Sequence, residues 1–253
     1  VLGRQYLNQS LAPDDGDRVW LAASAHVPSY LDAVKGLLNP QEVGRPYLTG
    51  KIGKVVNMNA YENTILAPFQ SGTALAATTY TVNGASQTGS GIVVATGATT
   101  FKKGDIVTFA GCNAVNPETK AAYNYLQKFV VTADYAGGAG TLAISPAIVT
   151  SGAAQNVSAS PTNGGAVSKI GGGASALYTQ SVLFHPDAFT FVTADLVDPT
   201  QYGAKGSRQV MDGISMTLAQ QYSITDASVP ARLDVLYGYK TIRPQLACRV
   251  IAQ

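Results

Sequence analysis

Between Asp212 and Val250 the chain alternates apolar and polar residues with little interruption. Ile214, Met216, Leu218, Tyr222 and Ile224 share one phase, and Ser215, Thr217, Gln221 and Ser223 occupy the other. A period of two predicts a strand with one buried face and one wetter face. Thr225-Asp226-Ala227-Ser228 reads as a polar turn, after which Leu233, Val235, Tyr237 and Tyr239 resume the apolar phase against Arg232, Asp234 and Lys240. Two such strands around a short polar loop predict an antiparallel hairpin. Arg243-Pro244 should end the second strand, since proline cannot donate to a ladder, and LACRVI should begin a third.

Earlier segments carry different periods. Arg4–Ser10 has the look of a helix end, Ala12–Asp17 is a dense turn signal, and RVWLAA at 18–23 reads as a short buried strand. Tyr30, Leu31, Val34, Leu37 and Leu38 recur at helical spacing, with Pro28 in the first turn and Asn39-Pro40 as the stop. Gly50–Val56 suggests a strand leading into an extended Met58–Leu66. From about Phe69 the composition shifts. No charged residue occurs from Asn63 through Phe101, nor from Tyr135 through Ser168. FKKGDIVTFAGCNAVN, LQKFVVTADY and TLAISPAIV supply short β-branched runs bounded by Gly, Asn or Pro, the pattern of a small antiparallel barrel or sandwich. Lys103-Gly104-Asp105 marks a tight turn, and Gly137-Gly138-Ala139-Gly140 a hairpin tip. The expected division is therefore 1–72, an all-β insertion at 73–165, and 166–253, which completes the first part. Within the last part, SVLFHPDAFTFVTADL predicts a strand, a helical turn at Pro186–Ala188 and a second strand. DPTQYGAKGSRQV reads as a flexible connection of mixed charge.

At 253 residues the chain can bury a sizeable core. Charged residues make up 13% against 46% hydrophobic, which excludes a disordered chain, and the net charge of +2 with scattered Lys and Arg points to neither a nucleic-acid domain nor a membrane surface. No apolar run reaches the roughly 18 residues of a membrane span, and VLGRQYLNQS lacks a signal-peptide core. Cys112 and Cys248 sit far apart in apolar contexts and read as buried free thiols rather than a disulfide framework.

Candidate chemistry is sparse. His26 and His185 are the only histidines and neither has a neighbour at metal-ligand spacing. His185 and Asp187 form a possible acid–base pair, but no nucleophile elbow accompanies them and a turn role fits better. Gly50-Lys51 and Gly53-Lys54 lack the glycine spacing and the following Ser or Thr of a phosphate loop. Asn8-Gln9-Ser10 and Asn156-Val157-Ser158 match a glycosylation pattern that matters only in a secreted chain. Asp134, Asp195, Asp198 and Asp212 are too dispersed for a calcium loop. Tyrosines number thirteen; Tyr237 and Tyr239 read as core or sheet-packing residues, with a protein-contact role as the alternative. Catalytic, cofactor-binding and metal-ligating residues are all expected to be none, and no enzyme is expected.

Several of these stretches carry a resemblance. DGISMTLAQQYSI followed by RLDVLYGYKTIRPQLACRV resembles the C-terminal end of tailed-bacteriophage major capsid (coat) proteins of the short-tailed Salmonella-phage type. Phe184, His185, Asp187, Ala188, Phe189, Thr190, Val192, Thr193, Ala194, Asp195 and Leu196 fit the same family, as do Ala12, Pro13, Asp14, Asp17 and Arg18 near the start. KKGDIVTFAG, LQKFVVTADY and NVSASPTNGGAV are similar, in order, to its inserted domain. The resemblance implies an α+β fold of the Hong Kong 97 type, with axial and peripheral domains and an all-β barrel insertion. It implies a subunit that self-assembles as hexamers and pentamers into an icosahedral shell around double-stranded DNA, located in the virion and assembled in the bacterial cytoplasm. Implied partners are further copies of the chain, a scaffolding protein, a portal at one vertex, decoration proteins, and packaged DNA through nonspecific contacts; no membrane is implied. Lys205, Arg208, Asp195 and Asp198 become candidates for pairs between subunits. Family members carry an N-terminal arm, an extended hairpin loop and a spine helix ahead of the segment matched here, so the chain resembles their C-terminal two-thirds, and residues 1–253 alone are expected to be poorly stable. The low-charge Thr/Gly/Ala-rich middle leaves one alternative, an extracellular carbohydrate-binding or adhesin-like β module.

Overall fold

The computed structural model describes residues 2–34, 54–55, 57–171 and 173–252. Backbone contacts divide them into two units, one of residues 1–184 with 248–253 and one of His185–Ala247. The first unit begins with helix α1 (Leu2–Gln9), strand β1 (Val19–Ala23), helix α2 (His26–Val34), and strands β2 (Lys54–Val55), β3 (Met58–Asn63) and β4 (Phe69–Gln70). It continues through β5 (Ala77–Thr81), β6 (Gly89–Val94), β7 (Ile106–Phe109), β8 (Asn113–Val115), β9 (Ala122–Leu126), β10 (Phe129–Val131), β11 (Gly140–Ile148), β12 (Ala166–Ile170) and β13 (Leu177–Phe184). The second unit holds β14 (Phe189–Ala194), β15 (Lys205–Met211), β16 (Ile214–Gln220), β17 (Ala231–Asp234) and β18 (Leu236–Thr241), and β19 (Ala247–Ala252) returns the chain to the first. Among the described residues the fold is mostly β, its only α-helices being these two. The expected helix reaches Val34; its continuation to Leu38, and the expected strand at Gly50–Val56 apart from Lys54 and Val55, lie outside the described residues.

An open sheet in the first unit runs β19-β13-β1-β3-β2, with β4 also on β13. β1 pairs parallel to β3 and antiparallel to β13. A buried arginine fixes how the chain enters β1. Arg18 donates through Nε to Pro13 O at 2.6 Å, Nη1 to Asn8 Oδ1 at 2.6 Å and Nη2 to Ala12 O at 2.5 Å. One planar guanidinium thereby ties α1, the 12–14 turn and β1 together, a task that a rigid fork of donors serves better than a lysine.

The second sheet of this unit runs β5-β12-β7-β10-β11-β6. Its ends meet: Val82 bridges Val94, Asn83 N–H donates to Val93 O at 3.0 Å and Ala95 N–H to Thr81 O at 2.8 Å. The sheet therefore returns on itself. The interior follows the period of two on every strand, with Tyr80 and Val82, Ile92 and Val94, Val107 and Phe109, Phe129 and Val131, Leu142 and Ile144, and Val167 all buried in one cluster. The small β8–β9 hairpin adds Cys112 just before β8. Rings pack in tilted pairs, Phe109 on Phe129 at 5.5 Å and Tyr80 on Phe101 at 5.4 Å, arrangements that suit aromatic quadrupoles. The ring of strands includes β12 at 166–170, beyond residue 165, because the uncharged stretch ends just before Lys169 while the alternation continues through it.

In the second unit β14 pairs β18, and β15, β16 and β17 form a three-stranded sheet. Pro186–Ala188 is the expected single turn, here a 3-10 helix. The expected hairpin is present, β16 to β17, extended by a Ser223–Ser228 bridge. Three expectations are corrected. The second strand is broken at Val235, so Leu236–Thr241 leaves β17 and joins β14 instead. The segment read as flexible contains the 3-10 turn Pro199–Tyr202 and the regular strand β15. Its turn into β16 is Asp212-Gly213, with φ of +50° and +77°, the two positive values a type I′ hairpin requires. Finally, the alternation is real, but on β16 its burial is reversed, with the apolar phase facing outward, and on β18 both phases are exposed.

Candidate assembly surfaces

β16 alternates ISMTLAQ, and the side chains it buries are the polar ones. Ser215 and Thr217 are 5% and 4% exposed, while Ile214 and Met216 are each 37% exposed. The register explains which residues share the outward face. Met211 lies opposite Ile214, Gln209 opposite Met216, and Leu218 stands between Ser207 and Leu233. Met211, Ile214, Met216, Leu218 and Leu233 thus line one side, and Ser215, Thr217, Arg208 and Asp234 the other. β14 packs beside β16, and Thr193 Oγ1 donates to Gly213 O at 2.6 Å. Ser215 Oγ is buried without a hydrogen-bond partner. Hairpin residues Tyr222 and Ile224, expected in the core, are exposed, Ile224 by 89%.

The β14–β18 ribbon repeats the theme with aromatics. Phe191 pairs Tyr239 and Thr193 pairs Tyr237, so Phe189, Phe191, Tyr237 and Tyr239 share a face. Phe191 and Tyr237 stack at 6.0 Å and 26°. Tyr239 is nonetheless 80% exposed, and Tyr237 59%, so the reading of both as core residues is corrected, while Tyr237 does pack across the sheet on Phe191. Among the described residues, seventeen of the twenty-five exposed large apolar side chains belong to His185–Ala247, and that unit buries only Ala188 and Leu246 as apolar residues. Two- and three-stranded sheets are marginal by themselves, and an apolar surface of this extent is larger than a monomeric soluble protein ordinarily exposes.

Other residues singled out in the sequence have structural places. His185 caps the 3-10 turn, its Nδ1 accepting from Asp187 N–H at 3.3 Å, with Asp187 Oδ2 at 3.5 Å. His26 Nδ1 meets the hydroxyl of fully buried Ser181, which also accepts from Ala23 N–H at 3.0 Å; burial lowers the pKa of the imidazole and favours its neutral form. Ser181 therefore serves as a bridge between β13, β1 and α2. Asn8 is occupied by Arg18, and Asn156 accepts from Val149 N–H at 3.0 Å while donating to Ala147 O at 2.7 Å. Arg208 pairs with Asp195 at 3.0 Å within the chain, and Asp198 caps Thr200 N–H at 2.9 Å, which lowers its pKa. Asp134 accepts from Lys103 N–H at 2.7 Å and Lys102 Nζ at 2.9 Å, and is likewise lowered. Asp212 makes the turn between β15 and β16. Both cysteines are free; Cys112 is buried, Cys248 half-buried, and desolvation pushes each thiol up to about 11. Among the described residues no three His, Cys, Asp or Glu are placed to hold a metal ion, and no helix is long and apolar enough to cross a membrane. Gly50-Lys51 and Gly53 lie outside the described residues.

The reversed faces are what sequence reading misses. The signal available is the pairing of Ser and Thr with Ile and Met on one strand, small hydroxyl residues that can be buried as readily as exposed ones. Compared with known families, the chain matches the family model described as P22 coat protein, gene protein 5, over residues 70–250. No curated protein matches it.

Proposed function

The chain belongs to the P22 coat protein family and is a structural subunit of a bacteriophage capsid; from that premise we propose that the outward apolar faces of His185–Ala247 are where it is joined to other copies of itself. The observation that carries this reading is the reversal on β16, where Ile214 and Met216 face out and Ser215 and Thr217 face in, together with the exposed aromatic face of the β14–β18 ribbon. Repeating one modest contact around a closed lattice gives a stable shell from individually weak interfaces. Within that shell the copies form hexamers and pentamers of icosahedral symmetry around double-stranded DNA, which they touch nonspecifically. The ring of strands between Ala77 and Ile170 corresponds to the all-β insertion expected at 73–165, and the chain on either side of it to the axial and peripheral parts. Scaffolding, portal and decoration proteins are its further partners, the virion is its destination, and the bacterial cytoplasm its place of assembly. The role is structural, with no catalytic step. No observation favours the carbohydrate-binding alternative.

Electron microscopy of the chain expressed within its whole reading frame, together with the neighbouring assembly gene, tests this. Closed shells of uniform size are expected. A monomer that persists across salt and protein concentration would overturn the reading.

A further inference from the structure

The chain enters the closed sheet after β4 and leaves it after β12, and the two crossings are bonded to each other. Ser71 N–H donates to Ala176 O at 2.9 Å and Ser175 N–H to Gly72 O at 3.0 Å, beside the β4–β13 pairs. Lys169 projects from β12 into this junction. It is 2% exposed, and its ammonium donates to Gly173 O at 3.0 Å, Ser71 Oγ at 3.3 Å and Gly72 O at 3.3 Å. Three neutral oxygens, from both crossings, thus receive the three donors of one buried cation. Asp105, equally buried, accepts from Gly72 N–H at 3.0 Å and Lys102 N–H at 2.8 Å. Burial lowers the pKa of Lys169, and the Asp105 carboxylate opposes that push.

Arg249 closes the junction from β19. Its Nη2 donates to Gly104 O, its Nη1 to Gln180 Oε1 at 3.1 Å, and its guanidinium lies 4.9 Å from the centre of the Phe69 ring. Gly104 belongs to the turn that opens β7 of the closed sheet, whereas Gln180 and Phe69 belong to the open sheet. The turn favours glycine there on two counts: φ is +102°, and a Cβ would sit 3.0 Å from Phe69 Cε2 and 3.3 Å from Arg249 Nη1.

Buried ionic groups of this kind contribute little net stability, because desolvation offsets the attraction, and a packed apolar residue does as well. None of Lys169, Asp105 and Arg249 belongs to the apolar cluster inside the closed sheet. Their bonds are directional: Lys169 and Asp105 tie the closed sheet to the crossing segments, and Arg249 ties its Gly104 turn to Gln180 of the open sheet. We infer that Lys169, Asp105 and Arg249 form a polar clasp that holds the closed sheet in one orientation on the open sheet, so that the two act as a single rigid body. The inference rests on packing within the first unit and is independent of how copies associate.

Spin labels at Glu118 and Tyr61, both exposed, report the orientation in the full chain with Cys112→Ala and Cys248→Ala, by pulsed dipolar spectroscopy on a dilute sample. The parent should give one narrow distance distribution. Lys169→Met with Arg249→Ala should broaden it about two-fold or more, while amide exchange at Val107 and Phe129 stays protected. Should the double variant lose that protection, Arg249→Lys is measured instead; it keeps the charge but loses the fork that spans Gly104 and Gln180. An unchanged width in a folded variant overturns the clasp. So does loss of core protection in both, because the three residues would then belong to the closed sheet's own fold.

Discussion

The closed sheet of the first unit and the paired strands of the second are built from the same period of two, yet they use it in opposite senses. In the closed sheet the apolar phase faces inward on all six strands and ends in a sealed cluster. In His185–Ala247 the apolar phase of β16 and the aromatic face of the β14–β18 ribbon look outward, and Ser215 and Thr217 are covered. A strand pattern fixes which residues share a face; what covers that face is decided by the rest of the assembly. The first region completes its core within one chain, and the second leaves its apolar surface exposed, which the proposed function assigns to contacts between copies.

The sharpest way to test this contrast is to truncate a ring in the closed sheet. Phe109 is fully buried and packs on Phe129. Phe109→Ala should destabilise the chain by about 3–5 kcal/mol through lost transfer energy plus the cavity left behind, read as a lower midpoint in urea unfolding at unchanged slope. A loss below about 1 kcal/mol would mean that the ring of strands collapses around the gap and is not a close-packed core.

Alkaline pH probes the same core by another route. Cys112 donates its S–H to Ala159 O at 3.3 Å, and its thiol is raised from 9.0 to about 11 by desolvation. The folded pKa lies above the unfolded one, so the stability it contributes is fully present below pH 9 and is lost as pH rises towards 11. A rise of that size corresponds to about 2–3 kcal/mol. Tyr80 and Tyr135, also raised by burial, add a loss of the same sign above pH 10. Stability measured from about pH 8 to 10 should fall less steeply in Cys112→Ala than in the parent; equal slopes would show that the thiol does not carry the effect.

Much of this is legible in the sequence, and where it is not the reason is physical. KKGDIVTFAG and LQKFVVTADY announce β7 and β10 through short runs of Val, Ile and Phe bounded by polar and turn residues, and Pro186-Asp187-Ala188 announces its turn through a proline that presets φ. The strand β15 escapes notice because KGSRQVM is mostly polar, with two basic residues, so it carries no apolar period, although Asp212-Gly213 is a hairpin signal in its own right. The outward faces escape because periodicity has no sign. The clasp residues escape for a third reason: Asp105, Lys169 and Arg249 are separated widely along the chain and meet only once the strands are paired. Gly213 measures how far the turn itself contributes. Its φ is +77° and no atom lies within 4 Å of the place a Cβ would occupy. Gly213→Ala should therefore cost about 1 kcal/mol from backbone conformation alone, seen as faster amide exchange in β15 and β16 with β7 and β10 unaffected.

The smallest effect on the chain itself should come from the residues most consequential for the shell. Tyr239 and Leu233 are exposed on the two outward faces, so Tyr239→Ser and Leu233→Ser remove little buried area from an isolated subunit. Each should change its unfolding free energy by no more than about 0.5 kcal/mol. Across a contact between copies the same side chains lose water on association, and each truncation forfeits about 1.5–3 kcal/mol of burial. Because one interface recurs throughout a closed lattice, that loss is multiplied over many contacts, and sedimentation of the double variant should show subunits in place of shells. A double variant that unfolds early as a monomer would show instead that the outward faces are already covered within the chain, and the contrast between the two regions would fail at its base.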